Sequence, residues 1–249
     1  MRNLTKLLLT TLLVSSCQTK DSKTLVIGHR GARGHVAENT LASISRAMEL
    51  GVDGVEIDVF RCATGELVVF HDKTLEALTN GTGYIEQMSL DSIKQFLVLG
   101  KEPIPTLTEV MDLIDGTIEL NIELKGTQTA VLTSELIEHY FETSNWEAKN
   151  VFISSFDWNE LDQFYELNKK VAIAVLTEDD PIDAIPVAKR LAAFAINPDF
   201  KTLTEANIKK MHEAGFKVYP WTVNEPDDIA HMIAIGVDAL ITDFPERIK

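Results

Sequence analysis

Gly54-Val55-Glu56-Ile57-Asp58-Val59-Phe60-Arg61-Cys62-Ala63-Thr64-Gly65-Glu66-Leu67-Val68-Val69-Phe70-His71-Asp72 holds two strand-like runs, residues 54–58 and 66–70, separated by only a few residues. A parallel crossover needs about a dozen residues, so these two runs must pair as an antiparallel hairpin. A two-residue turn at Thr64-Gly65 sets Cys62 opposite Leu67, Phe60 opposite Val69 and, in the same register, Asp58 opposite His71. Seven further runs read as strands: 25–28, 118–124, 151–155, 171–177, 193–197, 218–222 and 239–242. Nine is one too many for an eight-stranded barrel. Treating 66–70 as an extension of the second strand leaves eight, alternating with helical sequence, which is the pattern of a parallel sheet with crossover helices. The expected fold is α/β, a single-domain (β/α)8 TIM barrel with a hairpin extension after strand two.

Helical segments fill the intervals. Leu41, Ile44, Ala47 and Met48 recur at helical spacing behind Asn39 or Thr40 as N-cap, and 109–114, 129–141, 158–167, 183–190, 205–213 and 227–235 supply others. Residues 73–105, with Asn80-Gly81-Thr82-Gly83 and Pro103-Ile104-Pro105, are the longest irregular stretch and read as a small excursion over one face of the barrel. At 249 residues and 45% hydrophobic content, the chain has enough apolar side chains for one large core.

The N-terminus reads differently. Arg2 and Lys6 precede the apolar stretch Leu7-Leu8-Leu9-Thr10-Thr11-Leu12-Leu13-Val14, which ends in Ser15-Ser16-Cys17 and is too short to span a bilayer. Val14-Ser15-Ser16-Cys17 resembles a bacterial lipobox, so residues 1–16 are expected to be a lipoprotein signal peptide, Cys17 the lipidated residue, 17–23 a polar tether and 24–249 the barrel. The protein is then exported and anchored to a bacterial membrane, on its periplasmic or cell-surface side, by more than one acyl chain. Cys62 is the only other cysteine, so no intramolecular disulfide remains to the lipidated form. Formal net charge is -15, and -17 without Arg2 and Lys6, which argues against nucleic acid as a partner. No obligate protein partner is implied.

Residues that end strands of such a barrel share one mouth. Glu56 and Asp58, two apart, point to the same face, and Glu123 shares a face with Asn121 and Lys125. Three carboxylates suit one hard divalent cation, Ca2+ or Mg2+, and two distant cysteines do not make a thiolate site. Their other reading is a structural ion network neutralised by Arg30 and Lys125. His29 and His71 have the proton affinity to serve as general acid and base near neutral pH. Arg30 offers a planar fork to phosphate oxygens, Lys125 a point charge, and Trp221 an apolar wall for the carbon skeleton of a ligand. Asp243 reads as a partner behind these groups. His139, His212 and His231 fall on helical segments and read as surface residues.

In order along the chain stand His29-Arg30-Gly31, Glu38-Asn39-Thr40, Glu56-Ile57-Asp58, Val69-Phe70-His71-Asp72, Ile122-Glu123-Leu124-Lys125, Trp221-Thr222-Val223-Asn224 and Thr242-Asp243-Phe244-Pro245. This set resembles the glycerophosphodiester phosphodiesterases over roughly residues 25 to 247. The one departure is Ala37, where that family commonly has proline before Glu-Asn-Thr; it touches only the stiffness of the loop. The resemblance implies metal-dependent hydrolysis of glycerophosphodiesters to glycerol 3-phosphate and an alcohol. It also implies His29 and His71 as acid and base, Glu56, Asp58 and Glu123 as metal ligands, and Arg30 and Lys125 on the phosphate. The alternatives are a lysophospholipase D-like phosphodiesterase, if 73–105 forms an apolar groove around Leu75, Leu78, Tyr84 and Phe96, and a non-catalytic surface protein that binds glycerophosphate-type ligands.

Overall fold

A strand buried along its whole length needs a layer on each side, and seven of the eight residues of Gly54–Arg61 are buried. The computed structural model describes residues 23–248. The signal segment 1–16, Cys17 and the tether up to residue 22 lie outside them. In chain order the elements are β1 (Leu25–His29), α1 (Leu41–Glu49), β2 (Gly54–Arg61), β3 (Leu67–Val69), α2 (Leu90–Ile93), β4 (Leu97–Val98), β5 (Glu102–Pro103), α3 (Leu107–Ile114), β6 (Glu119–Leu124) and α4 (Thr129–Thr143). There follow β7 (Val151–Ser155), α5 (Trp158–Leu167), β8 (Ala172–Thr177), α6 (Ile185–Arg190), β9 (Ala195–Pro198), α7 (Glu205–Glu213), β10 (Lys217–Val218), α8 (Pro226–Ala234) and β11 (Ala239–Thr242).

The parallel strands run β10-β9-β8-β7-β6-β2-β1-β11 around the sheet. Backbone bonds from Asp238 N to Val218 O (3.1 Å) and from Ile241 N to Pro220 O (3.0 Å) draw the last two together, giving a nearly closed eight-stranded barrel. The expected strand 218–222 is short because Pro220 has no N–H for the ladder. Tyr219 N and Trp221 N still bond Ile196 O and Pro198 O, so the chain continues beside β9.

Strand alternation sorts side chains into three sets. Val55, Ile57, Val59, Leu120, Ile122 and Leu124 face outward against the helices in one continuous core. Ile27, Phe152, Ala174, Ala195, Tyr219, Ala239 and Ile241 fill the barrel interior. There Phe152, Phe194 and Tyr219 pack edge to face with centroids 5.1 to 6.1 Å apart. These rings make a solid floor, and polar inward residues occupy the level above it.

The hairpin exists, with a register one residue from the expected one. Phe60 pairs with Val68 and Arg61 with Leu67, while Phe70 N bonds Asp58 O, so Asp58 stands opposite Phe70 and not His71. The turn is the cause: Cys62 N bonds Glu66 O across a three-residue loop, Ala63-Thr64-Gly65, whose last residue has φ +105°. Glycine takes that conformation at no steric cost, which makes the longer loop available. Beyond it, residues 73–105 fold over a second core built from Phe60, Val68, Phe70, Leu75, Ile85, Ile93, Val98 and Ile104, with Leu78 and Phe96 packed at its margin. Thr40 is the N-cap of α1, its hydroxyl accepting from Ser43 N at 3.1 Å. Capping by Thr106, reciprocated by Glu109, starts α3 at Leu107, earlier than periodicity suggested.

The β1–α1 turn is the tightest junction near the mouth. Gly31 sits at φ +84°, and a Cβ there would lie 2.5 Å from Ser43 Oγ and 2.6 Å from Ser43 C. Gly31→Ala is expected to cost at least about 1–3 kcal/mol of stability, since backbone strain and a clash with α1 add. A urea midpoint equal to that of the parent would show that the turn relaxes freely.

Candidate active site

Register alone assembles the centre. His29 is the neighbour of Glu56, Glu56 of Asn121, and Asp58 of Glu123, so three adjacent strands present their inward polar residues in two rows. Glu56, Asp58 and Glu123 are all buried, and each offers a carboxylate oxygen within 4.8 Å of the others. A cavity of about 270 Å³ opens above them at the carboxyl ends of the strands, with Arg30, His71 and Lys125 also on its wall.

The three carboxylates are not equivalent. Burial raises the Glu56 carboxyl well above its ordinary value, and the charges of Asp58 and Glu123 push it further. Glu123 is raised to about 7 by burial and then by Asp58, against the pull of Lys125. Asp58 goes the other way. Burial would raise it, but Arg30 and Lys125 outweigh that, helped by His71 and the Asn39 amide, and hold it below the usual range. The geometry agrees: Arg30 Nε lies 3.3 Å from Asp58 Oδ2, Lys125 Nζ 3.6 Å from Oδ1, and Asn39 Nδ2 donates to Oδ2 at 2.8 Å. Three buried acids, two of them held up by burial and by their neighbours' charge, are a donor set that a hard divalent cation would relieve.

His29 is buried, with Nδ1 2.7 Å from Asp243 Oδ1 and Nε2 4.0 Å from Glu56 Oε2. Burial lowers its proton affinity more than the Asp243 hydrogen bond raises it. The carboxylate partner assigns the proton to Nδ1, leaving the Nε2 lone pair toward the cavity. Asp243 is itself fixed by Asn224 Nδ2 at 2.8 Å. His71, on the short segment after β3, has Nδ1 2.6 Å from Asp72 Oδ1. Both histidines thus carry a carboxylate on Nδ1, and both line the same cavity.

Arg30 is less free than a phosphate clamp on a loop. It adopts φ +50°, its backbone N donates to Glu56 Oε2 at 3.0 Å, and its Nη1 donates to Glu38 Oε1 at 2.5 Å. Lys125 Nζ donates to Glu123 Oε1 at 3.0 Å. Trp221 is held by Nε1 donating to Asn197 O at 2.9 Å and stands edge-to-face with Phe156, centroids 5.4 Å apart. The structure therefore brings His29, Arg30, Glu56, His71, Glu123, Lys125 and Trp221 around one cavity, with Asp58 beside Glu56 and Glu123. Sequence reasoning gave Glu38 and Asn39 no role in the site, reading Asn39 only as a possible N-cap. With Thr40 taking that task, Asn39 turns to Asp58, donating to its side chain and accepting from Asp58 N at 3.2 Å. Phe156 and Glu178 were also missed; both follow β7 and β8 by one residue, the position that already drew attention to Lys125.

The raised Glu123 makes stability pH-dependent. A carboxyl with folded value near 7 and ordinary value near 4.5 binds more protons folded than unfolded between them, so its contribution is lost as pH rises through 7. Glu123→Gln removes that loss. Without divalent cations, its stability relative to the parent is expected to improve by about 1–3 kcal/mol between pH 5 and pH 8. A difference that stays flat across that range in paired denaturation curves would contradict the shift.

Comparison with known proteins places this arrangement. The model of the "Glycerophosphoryl diester phosphodiesterase family" matches residues 29–247. A glycerophosphodiester phosphodiesterase of Caldanaerobacter subterraneus subsp. tengcongensis is 37% identical over 235 residues, 91% of this chain and 96% of that protein. An Oleispira antarctica phosphodiesterase solved in complex with the product sn-glycerol-3-phosphate superposes with a TM-score of 0.81 at 30% identity, covering 90% of this chain and 94% of that one. A glycerophosphodiester phosphodiesterase from Parabacteroides distasonis gives a TM-score of 0.76 at 28% identity, over 91% and 95% of the two chains. The eight-stranded barrel and the chain-long sequence match agree, and this chain belongs to the glycerophosphoryl diester phosphodiesterase family.

Proposed function

We propose that this enzyme hydrolyses glycerophosphodiesters to glycerol 3-phosphate and an alcohol by two-histidine acid–base catalysis that depends on one divalent cation, Ca2+ or Mg2+. The observation that carries the reading is the convergence of three buried carboxylates, two cations and two carboxylate-paired histidines on one cavity. Glu56, Asp58 and Glu123 are the ligands. A bound cation supplies Lewis-acid polarisation of phosphate oxygens and cancels the repulsion among the three acids. Arg30 and Lys125, held by Glu38 and Glu123, contribute positive charge already oriented before substrate arrives. The neutral, buried His29 accepts a proton at Nε2 from the attacking water as the new P–O bond forms. Asp243 stabilises the imidazolium that results. His71 gives its proton to the departing alkoxide as the old P–O bond breaks.

Support for the lysophospholipase D-like alternative is weaker, because Leu75 is wholly buried and Leu78 and Phe96 pack against the second core. A binding protein, for its part, has no use for two histidines each oriented by a carboxylate. The test is release of glycerol 3-phosphate from glycerophosphocholine by protein lacking residues 1–17, with Ca2+, Mg2+ or EDTA. Turnover should need the cation, and His29→Ala, His71→Ala and Glu56→Ala should each lower kcat by about 10²- to 10⁴-fold. Tight ligand binding without turnover under every condition would move the assignment to a binding role.

For the N-terminus we propose lipidation at Cys17 after removal of residues 1–16, with the barrel held at a bacterial membrane on its exported side. The support is the basic start, the short apolar run and Val14-Ser15-Ser16-Cys17. In a bacterial host, Cys17→Ser should shift the full-length chain out of the membrane fraction; an unchanged distribution refutes the anchor.

A further inference from the structure

The cavity has two chemically different halves. Strands β1, β2 and β6, with the segment after β3, carry the histidines, cations and ligand carboxylates. The opposite wall, from β7, β8 and the chain after β10, offers Phe156, Leu176, Glu178 and Trp221. Glu178 stands out there. Every other carboxylate on this cavity is matched by a cation or a backbone donor, whereas Glu178 has no hydrogen bond or ion pair among the described residues. Phe156, 39% exposed, and Trp221 meet at an interplanar angle of 88°, which leaves aromatic surface turned to the cavity.

An unpaired carboxylate in the mouth of a site for phosphodiesters repels the substrate unless something positive sits between them. Aromatic faces beside a carboxylate are the environment an alkylammonium group favours: the rings attract its charge through their quadrupoles while tolerating its methyls, and the carboxylate balances the charge. A diester held by its phosphate on the first half presents one of its two alcohol arms to this wall.

We propose that Glu178, Phe156 and Trp221 form a subsite for a cationic head group, so that the preferred substrates are glycerophosphodiesters whose alcohol bears an ammonium, such as choline or ethanolamine. This selectivity rests on the phosphodiesterase reading of the same cavity. Glu178 acts on the head group and takes no part in the chemistry at phosphorus, so its effect falls on discrimination between alcohols, mainly through KM.

The experiment compares kcat/KM for glycerophosphocholine and for glycerophosphoglycerol, which has the same phosphate and a neutral alcohol, in the parent, E178Q and F156A. The parent should favour the choline diester by about tenfold, and E178Q should reduce the ratio at least fivefold, with F156A in the same direction, the change residing in KM. Equal loss on both diesters, or an unchanged ratio in E178Q, overturns the subsite while leaving the phosphodiesterase assignment intact. Absence of turnover on every diester would strike at that assignment instead, and the subsite is then judged by calorimetric titration with choline chloride alone. Binding that weakens in E178Q supports it; binding equal in both, or none in the parent, overturns it.

Discussion

Repulsion among Glu56, Asp58 and Glu123 is the constraint around which this mouth of the barrel is built. Unit negative charges 4.8 Å apart at an effective dielectric of 20 repel by about 3 kcal/mol per pair, a sizeable fraction of the net stability of an ordinary domain. The fold does not spread its compensation evenly. Arg30 and the Asn39 amide turn to Asp58 and Lys125 lies between Asp58 and Glu123, so Asp58 stays ionised, while burial and the remaining repulsion raise the carboxyls of Glu56 and Glu123. Arg30 can serve there because Glu38 fixes its other end and because its own backbone N already bonds Glu56. A site arranged in this way is poised between proton and cation: whichever occupies it removes the same repulsion.

The barrel supplies the precision this requires. Parallel register sets Asp58 beside Glu123 and His29 beside Glu56 without any loop having to be placed. Closure does the rest: β11 pairs with β1, Gly28 against Thr242, and the residues that follow each, His29 and Asp243, meet at 2.7 Å although 214 positions separate them. Below them, Phe152, Phe194 and Tyr219 close the interior, so the acids cannot relieve one another by sinking toward the far end. A packed floor and a rigid register thus convert a pattern of alternating residues into fixed distances.

That division also explains what could be read from the chain. Parity along a strand is local, and by itself it faces Glu56 with Asp58 and Glu123 with Lys125. Strand count and crossover length gave the barrel and its extra hairpin. The hairpin's register was missed because it turns on whether Gly65 takes a positive φ in a two- or a three-residue loop, a difference of a single residue in a stretch with apolar residues on both faces. The same kind of competition hid Asn39. Asn39 and Thr40 are both good caps on sequence alone, and only the approach of β2 decides that Thr40 caps α1 and Asn39 is left for Asp58. Glu38 was hidden by its distance in sequence from the acids it indirectly serves. Neither loop residue repeats with any period, so nothing in the sequence pattern ranks it above its neighbours.

Uneven distribution of charge around the barrel follows from the same economy of compensation. Three acids and two cations already share the β1, β2 and β6 side, and each new charge there would need a further partner in a buried setting. On the β7 to β10 side the strand residues that line the cavity include Ser154, Leu176 and Trp221, none of them charged. A carboxylate at its rim, as Glu178 is, can remain exposed to water and without a protein partner at low cost. The two halves therefore differ in how charge is held: the β1, β2 and β6 half pairs its buried charges with one another, and the β7 to β10 half carries one cavity carboxylate, Glu178, with no partner among the described residues.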